Sequence, residues 1–535
     1  MSKVKDHYLY FPQKYDKIRD QQREALDFII DNIEDKRFFV LEAPTGIGKS
    51  AIALTLSKWI QDHVSAENQK GAYLVTTQKI LQNQYINDFP EIANIWSKSN
   101  YQCIHRNKMS CLEGQLLSKI FTNSKESQNC TNQCIYTRAM REFFKNPIGV
   151  TNMAYMLNQI EYNYHSENAS MPQRQLLVID ECHNLEQSIT DFVVARVTKR
   201  HCEEDIGIAF PEITDNLSKV KLWIEDHYLP GIEKKMGEME DRISQIKSKS
   251  AEARAIAKQL SSFTRRKSHM ERSMQRLDSS NWVLTYTNEV FEIKPIYASN
   301  FSERQLFCIG QKVVLMSATI LDKETFCRNV GISEKESCFL SLSSPFPVEN
   351  RQVIILPSGS MSYKNINKTL PEMHKMVQFL LEKHKGDKGI IHTNNYRIAK
   401  ELVQKDKTKR LLLHDSKNRE QIYDLHIHSS KDSVLISPSF TEGIDLYNDQ
   451  SRFQIVCKIP FPYLADNYVK VKMRKCKKWY EWQTAKTIIQ SLGRSIRSEK
   501  DHAESYILDS DWEFFYNRNR NMFPEWFKEA LVFIS

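Results

Sequence analysis

The segment 43–50 constrains the fold of this chain more than any other stretch. It reads Ala-Pro-Thr-Gly-Ile-Gly-Lys-Ser, after a short apolar run typical of a strand and before apolar residues at helical spacing. A glycine loop between a strand and a helix turns its backbone N–H groups toward a phosphate at the helix N-terminus. The lysine is expected to reach the outer phosphates of a nucleoside triphosphate, and the serine hydroxyl to bind Mg²⁺. Ala43 stands where the strict pattern has Gly, and the predicted contacts are Thr45, Gly46, Gly48, Lys49 and Ser50.

Length and charge place this loop in a large globular protein. At 535 residues the chain is too long for a single hydrophobic core, and roughly three or four domains are expected. The net charge of +9 is a mild excess that is compatible with nucleic acid. The sequence has no apolar run of about 18 residues and no signal-peptide core at its start. We therefore expect an intracellular protein, cytoplasmic or nuclear depending on the host, that does not bind a membrane.

A polar helix start lies ahead of the phosphate loop and carries Arg19 and Gln22. An arginine and a glutamine at this place can read the edge of an adenine by hydrogen bonds. An ordinary polar helix start explains the same residues equally well. Gln22 is nevertheless predicted to contact the nucleotide.

Four cysteines fall close together in a short polar segment that offers little apolar core. They are Cys103, Cys111, Cys130 and Cys134. In a reducing compartment such cysteines are metal ligands or free thiols rather than disulfides. Structural zinc favours two tightly spaced pairs, which Cys130 and Cys134 satisfy and the first two do not. Four thiolates can equally hold an iron–sulfur cluster, and four unrelated thiols remain the third interpretation.

An acidic pair follows a second apolar run. The run 176–179 predicts a buried strand, and Asp180 and Glu181 come directly after it. After a phosphate loop, this combination predicts that Asp180 holds Mg²⁺ through water and that Glu181 orients or deprotonates the attacking water. Without the upstream loop, a solvated turn would be the better interpretation.

The middle of the chain predicts an insertion followed by a second sheet. Residues 185–280 carry few strand signals and long charged helical patterns, which predict a helical insertion with a coiled-coil hairpin. Further on, apolar runs alternate with helical patterns, which is typical of a second parallel sheet. Its strands are expected at Val353–Leu356, Lys388–His392, Leu411–His414 and Ser433–Ile436, and its helices at 369–384 and 395–405.

Two motifs lie in this second α/β region. One contains Glu442, Gly443 and Asp445, of which Gly443 and Asp445 are predicted to contact the nucleotide. The other is Gln490-Ser-Leu-Gly-Arg494-Ser-Ile-Arg497, whose two arginines share one helical face and can neutralise a γ-phosphate from across a cleft.

A basic stretch lies between these two motifs. Residues 470–478 hold six basic residues in nine, and aromatic residues follow. They suit either phosphate contact with base stacking or a plain solvated face.

The ordered set of motifs resembles superfamily 2 helicases, and the four-cysteine insert resembles that of the XPD/DinG-like branch. The set comprises the phosphate loop, Asp180-Glu-Cys-His, Ser317-Ala-Thr, Glu442-Gly-Ile-Asp and Gln490-x-x-Gly-Arg-x-x-Arg. The resemblance implies an α/β protein with two RecA-like parallel-sheet motor domains, an inserted iron–sulfur domain and an inserted helical Arch-like domain. It also implies that Cys103, Cys111, Cys130 and Cys134 ligate a [4Fe–4S] cluster. The implied boundaries are 1–98 with 146–184 and 291–345 for motor domain 1, 99–145 for the cluster domain, 185–290 for the Arch-like insertion and 346–535 for motor domain 2.

By the same resemblance, we expect a monomeric ATP-dependent helicase that moves 5′→3′ on single-stranded DNA and opens forked duplexes. Its catalytic residues would be Lys49, Asp180, Glu181, Gln490, Arg494 and Arg497, its cofactors ATP, Mg²⁺ and the cluster, and its partners replication or repair proteins. An RNA helicase and an inactive nucleic-acid-binding scaffold are the alternatives. The chain departs from the family after Tyr506-Ile-Leu-Asp509, where an arginine expected to make a coupling or DNA contact is missing.

Overall fold

The structure is a computed structural model built around two parallel sheets of seven strands and a smaller antiparallel sheet of three. No described helix is long and apolar enough to cross a membrane. The structure describes residues 6–77, 79–106, 108–120, 133–164, 171–212, 216–246, 250–278, 280–415, 417–438, 446, 448–496, 498 and 500–534.

The strands are short, as is usual for α/β proteins. In chain order they are β1 (Phe38–Glu42), β2 (Gln69–Thr76), β3 (Ala93–Asn94), β4 (Ile148–Asn152), β5 (Arg174–Asp180), β6 (Ala195–Thr198), β7 (Trp282–Tyr286), β8 (Val290–Pro295), β9 (Gly310–Ser317), β10 (Ser337–Ser341), β11 (Val353–Gly359), β12 (Gly389–His392), β13 (Leu411–Leu413), β14 (Val434–Ser437), β15 (Phe453–Val456), β16 (Glu504–Asp509) and β17 (Leu531–Phe533).

The α-helices alternate with these strands except in the middle of the chain. In chain order they are α1 (Asp20–Asp31), α2 (Lys49–His63), α3 (Lys79–Asp88), α4 (Cys111–Ile120), α5 (Ile135–Lys145), α6 (Met153–Tyr164), α7 (Leu185–Val193), α8 (Leu217–Trp223), α9 (Leu229–Ser244), α10 (Ala251–Arg276), α11 (Ser299–Gln305), α12 (Lys323–Val330), α13 (Ile366–Lys383), α14 (Tyr396–Lys405), α15 (Arg419–His428), α16 (Asn467–Lys475), α17 (Trp479–Leu492), α18 (Asp511–Asn519) and α19 (Glu525–Lys528).

The first sheet has the strand order β10-β1-β9-β5-β2-β4-β3, and every pairing in it is parallel. All five residues of β1 and all seven of β5 are buried. Helices cover both faces, which is why these strands read as continuous apolar runs rather than alternating ones. The carboxyl ends of β1, β5 and β9 lie side by side, so the residues that follow them meet at one edge of the sheet.

The second sheet has the order β13-β14-β12-β15-β16-β11-β17, again wholly parallel. The four strands expected here are observed as β11–β14, with ends shifted by a few residues, and the two expected helices are α13 and α14. The fold class of two RecA-like α/β domains is therefore confirmed. The motor-domain boundaries drawn from sequence stay a prediction.

The insertion after the acidic pair is not purely helical. Its charged patterns do form a helical hairpin, in which α9 packs against α10. However, β6, β8 and β7 form an antiparallel sheet beneath it. The prediction of a helical insertion is wrong in this respect. The missed signal is the alternation of β-branched and aromatic residues in Trp282–Tyr286 and Val290–Pro295 around a short polar turn.

The basic stretch 470–478 belongs partly to the core. Lys472 is buried, and so are Trp479 and Trp482, which start the next helix. Both indole N–H groups are engaged inside the protein, with Glu186 and with the carbonyl of Ile320. Base stacking on these two tryptophans is therefore excluded, because their rings lie within the protein.

Candidate active site between the two sheets

The phosphate loop adopts the predicted strand–loop–helix geometry. Gly46 and Gly48 have φ of 90° and 87°, in the left-handed region that favours glycine. Gly48 caps α2, so the first N–H groups of this helix face the loop. A side chain at Gly46 would collide with the ring of Phe346, which lies directly against the loop. The loop is thus held in a shape that its glycines alone permit.

Gln22 lies behind this loop and is buried. Its amide NH₂ donates to the carbonyl of Ile47 at 2.9 Å, and its amide oxygen accepts from the backbone N–H of Arg19 at 2.9 Å. The guanidinium of Arg19 donates to the carbonyl of Gly46. Gln22 and Arg19 therefore fix the backbone of the phosphate loop, and this contact is a role that the sequence did not indicate.

The acidic pair stands at the end of β5, facing the same loop. Lys49 Nζ lies 3.2 Å from Glu181 Oε1, and His183 Nδ1 lies 3.2 Å from Glu181 Oε2. Burial opposes ionisation of Glu181, but the Lys49 ammonium and His183 hold the pKa of its carboxyl well below the ordinary value. Asp180 is buried beside it and accepts a hydrogen bond from Tyr85 Oη at 3.3 Å. The structure therefore brings together the three residues predicted for this part of the site.

A series of polar contacts connects the acidic pair to the unit built on the second sheet. His183 Nδ1 lies 2.7 Å from Ser317 Oγ, which also accepts from the Thr319 N–H at 3.1 Å. Gln490 Nε2 lies on α17, in the unit built on the second sheet, and donates to Thr319 Oγ1 at 3.4 Å. The strand-end residues Ser317 and Thr319 thus connect the units built on the two sheets. His183 contacts both Glu181 and Ser317, a role that its place in the acidic motif did not indicate.

A cavity of about 380 Å³ lies between the two units, and residues from both line it. The first unit contributes Thr45, Glu181 and Thr319, and the second contributes Gln490 and Arg494. Arg494 follows the carboxyl end of α17, and its Nε donates to the carbonyl of Gln490 at 3.0 Å. Ser50 lies in the first turn of α2 beside Lys49. Arg497, Gly443 and Asp445, which were predicted for the same site, lie outside the described residues.

Three of the four clustered cysteines can be placed. Cys111 starts α4 and Cys134 directly precedes α5, with 3.4 Å between their sulfur atoms. Cys103 lies against the first turn of α4, since a Cβ built on Gly114 would come within 2.6 Å of its sulfur. Cys130 lies outside the described residues.

The surroundings of these thiols differ from the expectation of a segment without apolar core. Cys111 and Cys134 are buried in the main hydrophobic core together with Tyr101, Tyr136 and Phe143. That expectation is therefore wrong for the described part of the segment. Burial raises the pKa of Cys134, but hydrogen bonds from Thr137 and Cys111 outweigh it and leave the pKa below the ordinary value.

The donor set suits a metal group in its chemistry, because thiolates are the ligands of iron–sulfur clusters and of structural zinc. In the part of the chain that the structure describes, no three His, Cys, Asp or Glu side chains converge on a single metal position.

Comparison with protein families finds two matches. Residues 16–214 match the family described as type III restriction enzyme, res subunit, and residues 374–530 match the helicase C-terminal domain. The first match contains the phosphate loop and the acidic pair, and the second contains Gln490 and Arg494. Each half of the candidate site thus falls within a separate family match.

Individual proteins are also similar to this chain. The chain is 28% identical over 255 residues to the ATP-dependent DNA helicase DinG of Photobacterium profundum, a match that covers 41% of this chain and 34% of that protein. It is 21% identical to the ATP-dependent DNA helicase YoaA of Escherichia coli over 92% of this chain and 91% of that one. A solved structure titled XPD helicase is similar with a TM-score of 0.66 and 15% identity, covering 97% of this chain and all of the other. The structural likeness supports the two-sheet fold.

Proposed function

Because the chain belongs to the XPD/DinG-like branch of the superfamily 2 helicases, we propose that it is an ATP-driven motor that moves 5′→3′ on single-stranded DNA and opens forked duplexes. One observation carries the proposal. Glu181, which pairs with Lys49 at the edge of the first sheet, lines the same cleft as Gln490 and Arg494 from the side of the second sheet. A site divided in this way changes shape when its two halves close on a ligand.

The residues of the cleft have complementary roles in this proposal. Lys49 and the N-terminus of α2 bind the phosphates of ATP, and Glu181 orients or deprotonates the attacking water. Gln490 and Arg494 reach across from the second sheet to the γ-phosphate, where a cation stabilises the developing charge. Arg497, Gly443 and Asp445 are proposed to complete this side.

Lys49 moves from Glu181 to the phosphates when ATP enters. This movement leaves the Glu181 carboxylate free to orient or deprotonate the attacking water. Ser50 and Asp180 would hold Mg²⁺, which neutralises phosphate charge when bound.

The test is a strand-displacement assay on forked DNA with either a 5′ or a 3′ single-stranded tail. We expect ATP-dependent displacement on the 5′-tailed substrate and little on the 3′-tailed one. ATP hydrolysis should rise on addition of single-stranded DNA. Hydrolysis that DNA leaves unchanged contradicts the proposal, and equal displacement from both tails contradicts the polarity.

Lys49→Ala provides the matched variant. We expect it to reduce ATP hydrolysis at least about a hundredfold, since a charge that contacts the phosphates is lost. Lys58→Ala on the same helix is the control, because Lys58 only pairs with Glu91 at 3.0 Å on the surface. Matched RNA duplexes in the same assay distinguish a DNA motor from an RNA motor. A chain that binds single strands but hydrolyses no ATP would be a scaffold instead.

The four cysteines are proposed to hold a [4Fe–4S] cluster that fixes the segment 99–145 to the first motor domain. Cys103, Cys111 and Cys134 would be ligands, with Cys130 as the fourth. The insertion 185–290 would form the Arch-like domain, and the two insertions would flank the path of the DNA strand. Iron and acid-labile sulfide in the purified protein support the cluster. Stoichiometric zinc supports the zinc alternative, and absence of both metals supports free thiols.

We further propose that the chain works as a monomer with replication or repair proteins as partners. Light scattering during purification tests the first statement. The second rests on the DNA substrate, since forked duplexes arise in both processes.

A further inference from the structure

The helix that carries Gln490 is docked on the first motor domain along one face. Trp482 Nε1 donates to the carbonyl of Ile320 at 2.8 Å, and Lys486 Nζ donates to the carbonyl of His183 at 3.3 Å. Gln490 itself reaches Thr319. These side chains stand four residues apart in succession, so they share a face of α17. The position of the helix is therefore set directly by the backbone of the acidic motif and by the strand-end motif.

A buried ion pair holds the elbow between α16 and α17. Lys472 on α16 forms an ion pair with Glu186 on α7, and the two side chains are 3% and 10% exposed. Trp479 Nε1, at the start of α17, donates to the other oxygen of Glu186 at 3.2 Å. Lys472 Nζ also donates to Tyr468 Oη at 3.0 Å. Burial opposes the charge, but Glu186 and Tyr468 hold the pKa of Lys472 above its ordinary value.

The other side of α16 rests on the antiparallel sheet of the insertion. Asn467 Nδ2 donates to the carbonyl of Leu284 at 3.2 Å, and Lys475 Nζ donates to the carbonyl of Ser280 at 3.2 Å. Tyr468 Oη donates to the carbonyl of Pro295 at 3.3 Å. The helix pair α16–α17 thus contacts the insertion at one end and the ATP cleft at the other. Lys472 and Glu186 lie between these two ends.

We propose that Lys472 and Glu186 are positioning residues for ATP hydrolysis. They lock the elbow between α16 and α17, and in this way they connect the insertion to the placement of Gln490 and Arg494. A DNA strand that passes beneath the insertion would shift it. This shift moves α16 and then α17, which positions Gln490 and Arg494. The inference rests on the proposed ATPase function and adds a route by which the insertion controls it.

An ion pair at this place is better suited to fixing geometry than to adding stability. Two charges withdrawn from water recover little net free energy, and well-packed apolar side chains often replace such a pair without loss. Loss of one partner alone leaves an uncompensated buried charge and is strongly destabilising. The single and double variants therefore separate stability from positioning.

The test compares Lys472→Met, Glu186→Gln and the double variant. We expect each single variant to lower the thermal midpoint and the double variant to recover it. In the double variant, we expect the kcat of DNA-stimulated hydrolysis to fall at least about tenfold. Its affinity for a non-hydrolysable ATP analogue should fall about tenfold while its affinity for ADP is unchanged, because ADP lacks the phosphate that Gln490 and Arg494 contact.

Lys375→Met is the control, since Lys375 is exposed on α13 and pairs with Glu372 on the surface. If Lys472→Met does not fold, Trp479→Phe removes the N–H donated to Glu186 while keeping an aromatic ring at this place, and it is measured in the same way. Recovery of both midpoint and kcat in the double variant overturns the inference. So does an equal loss of affinity for ADP and the analogue. A wild-type chain without DNA-stimulated hydrolysis refutes the proposed function, whereas the contrast between ADP and the analogue still tests the positioning role.

Discussion

Glu42 is a buried carboxyl group at the end of β1, directly before the phosphate loop. Its side chain accepts hydrogen bonds from the Leu321 N–H and from Ser341 Oγ, both at 2.7 Å. Burial raises the pKa of Glu42 from 4.5 to about 7, and these hydrogen bonds offset only part of the effect. The fold therefore favours the neutral acid next to a loop that receives polyphosphate.

The consequence for stability follows from proton linkage. Because the folded protein holds this proton more tightly than the unfolded chain, Glu42 contributes stability below about pH 4.5 that is lost as the pH rises through about 7. At about 1.4 kcal/mol for each pKa unit, the complete loss is about 3 kcal/mol. For a domain of about 200 residues, this corresponds to roughly 6–12 °C in thermal midpoint.

Glu42→Gln removes the titration and keeps the shape. The amide oxygen can still accept from the Leu321 N–H, and the amide NH₂ can donate to the hydroxyl of Ser341. We expect the variant to gain about 3 kcal/mol relative to the wild type between pH 5 and pH 8, measured by thermal unfolding at several pH values. Glu303→Gln is the control, because Glu303 is exposed and paired with Arg37. Stability curves of variant and wild type that stay parallel across this range would refute the reasoning.

Three further substitutions test single contacts. Gly71→Ala should lower the free energy of unfolding by at least about 2 kcal/mol, measured by thermal unfolding. Gly71 has a φ of 114°, and an added Cβ would collide with the carbonyl of Pro147; an unchanged midpoint contradicts this. Arg174→Met should cost about 3–5 kcal/mol in the same measurement, because its buried guanidinium donates to five backbone carbonyls; a loss below 1 kcal/mol would show that water replaces it. Gln490→Ala should reduce the kcat for ATP about tenfold and leave the midpoint unchanged, because its contact with Thr319 is long at 3.4 Å; a fall in midpoint with unchanged kcat would make Gln490 structural.

Most of the fold could be predicted from local sequence patterns. The phosphate loop and the acidic pair were predictable because a glycine loop, an apolar strand and a carboxylate each impose a local geometry. The strands of the second sheet were predictable because strands buried on both faces read as continuous apolar runs. The antiparallel sheet of the insertion was missed because long charged helices on either side dominated the pattern. Its hairpin signal spans only Trp282–Pro295.

Contacts between distant segments could not be predicted from the sequence. Lys472 stands in a run of basic residues, and such a run is usually solvated. It is buried because Glu186 supplies the opposite charge from α7, the helix that follows the acidic motif, and no local pattern connects the two residues. In the same way, Gln22 reads as an ordinary helix start until the fold places it behind the phosphate loop.

The polar residues on the buried face of α17 are a sequence signal for contacts across the cleft. A helix that packs into a core usually presents an apolar stripe. The buried face of α17 instead contains Lys486 and Gln490 among its tryptophans. Burying a lysine and a glutamine costs free energy unless each has a fixed partner. Polar residues at helical spacing within an apolar stripe therefore indicate contacts whose geometry matters more than their stability. In this chain the partners of Lys486 and Gln490 are His183 and Thr319, which belong to the two motifs at the edge of the opposite sheet.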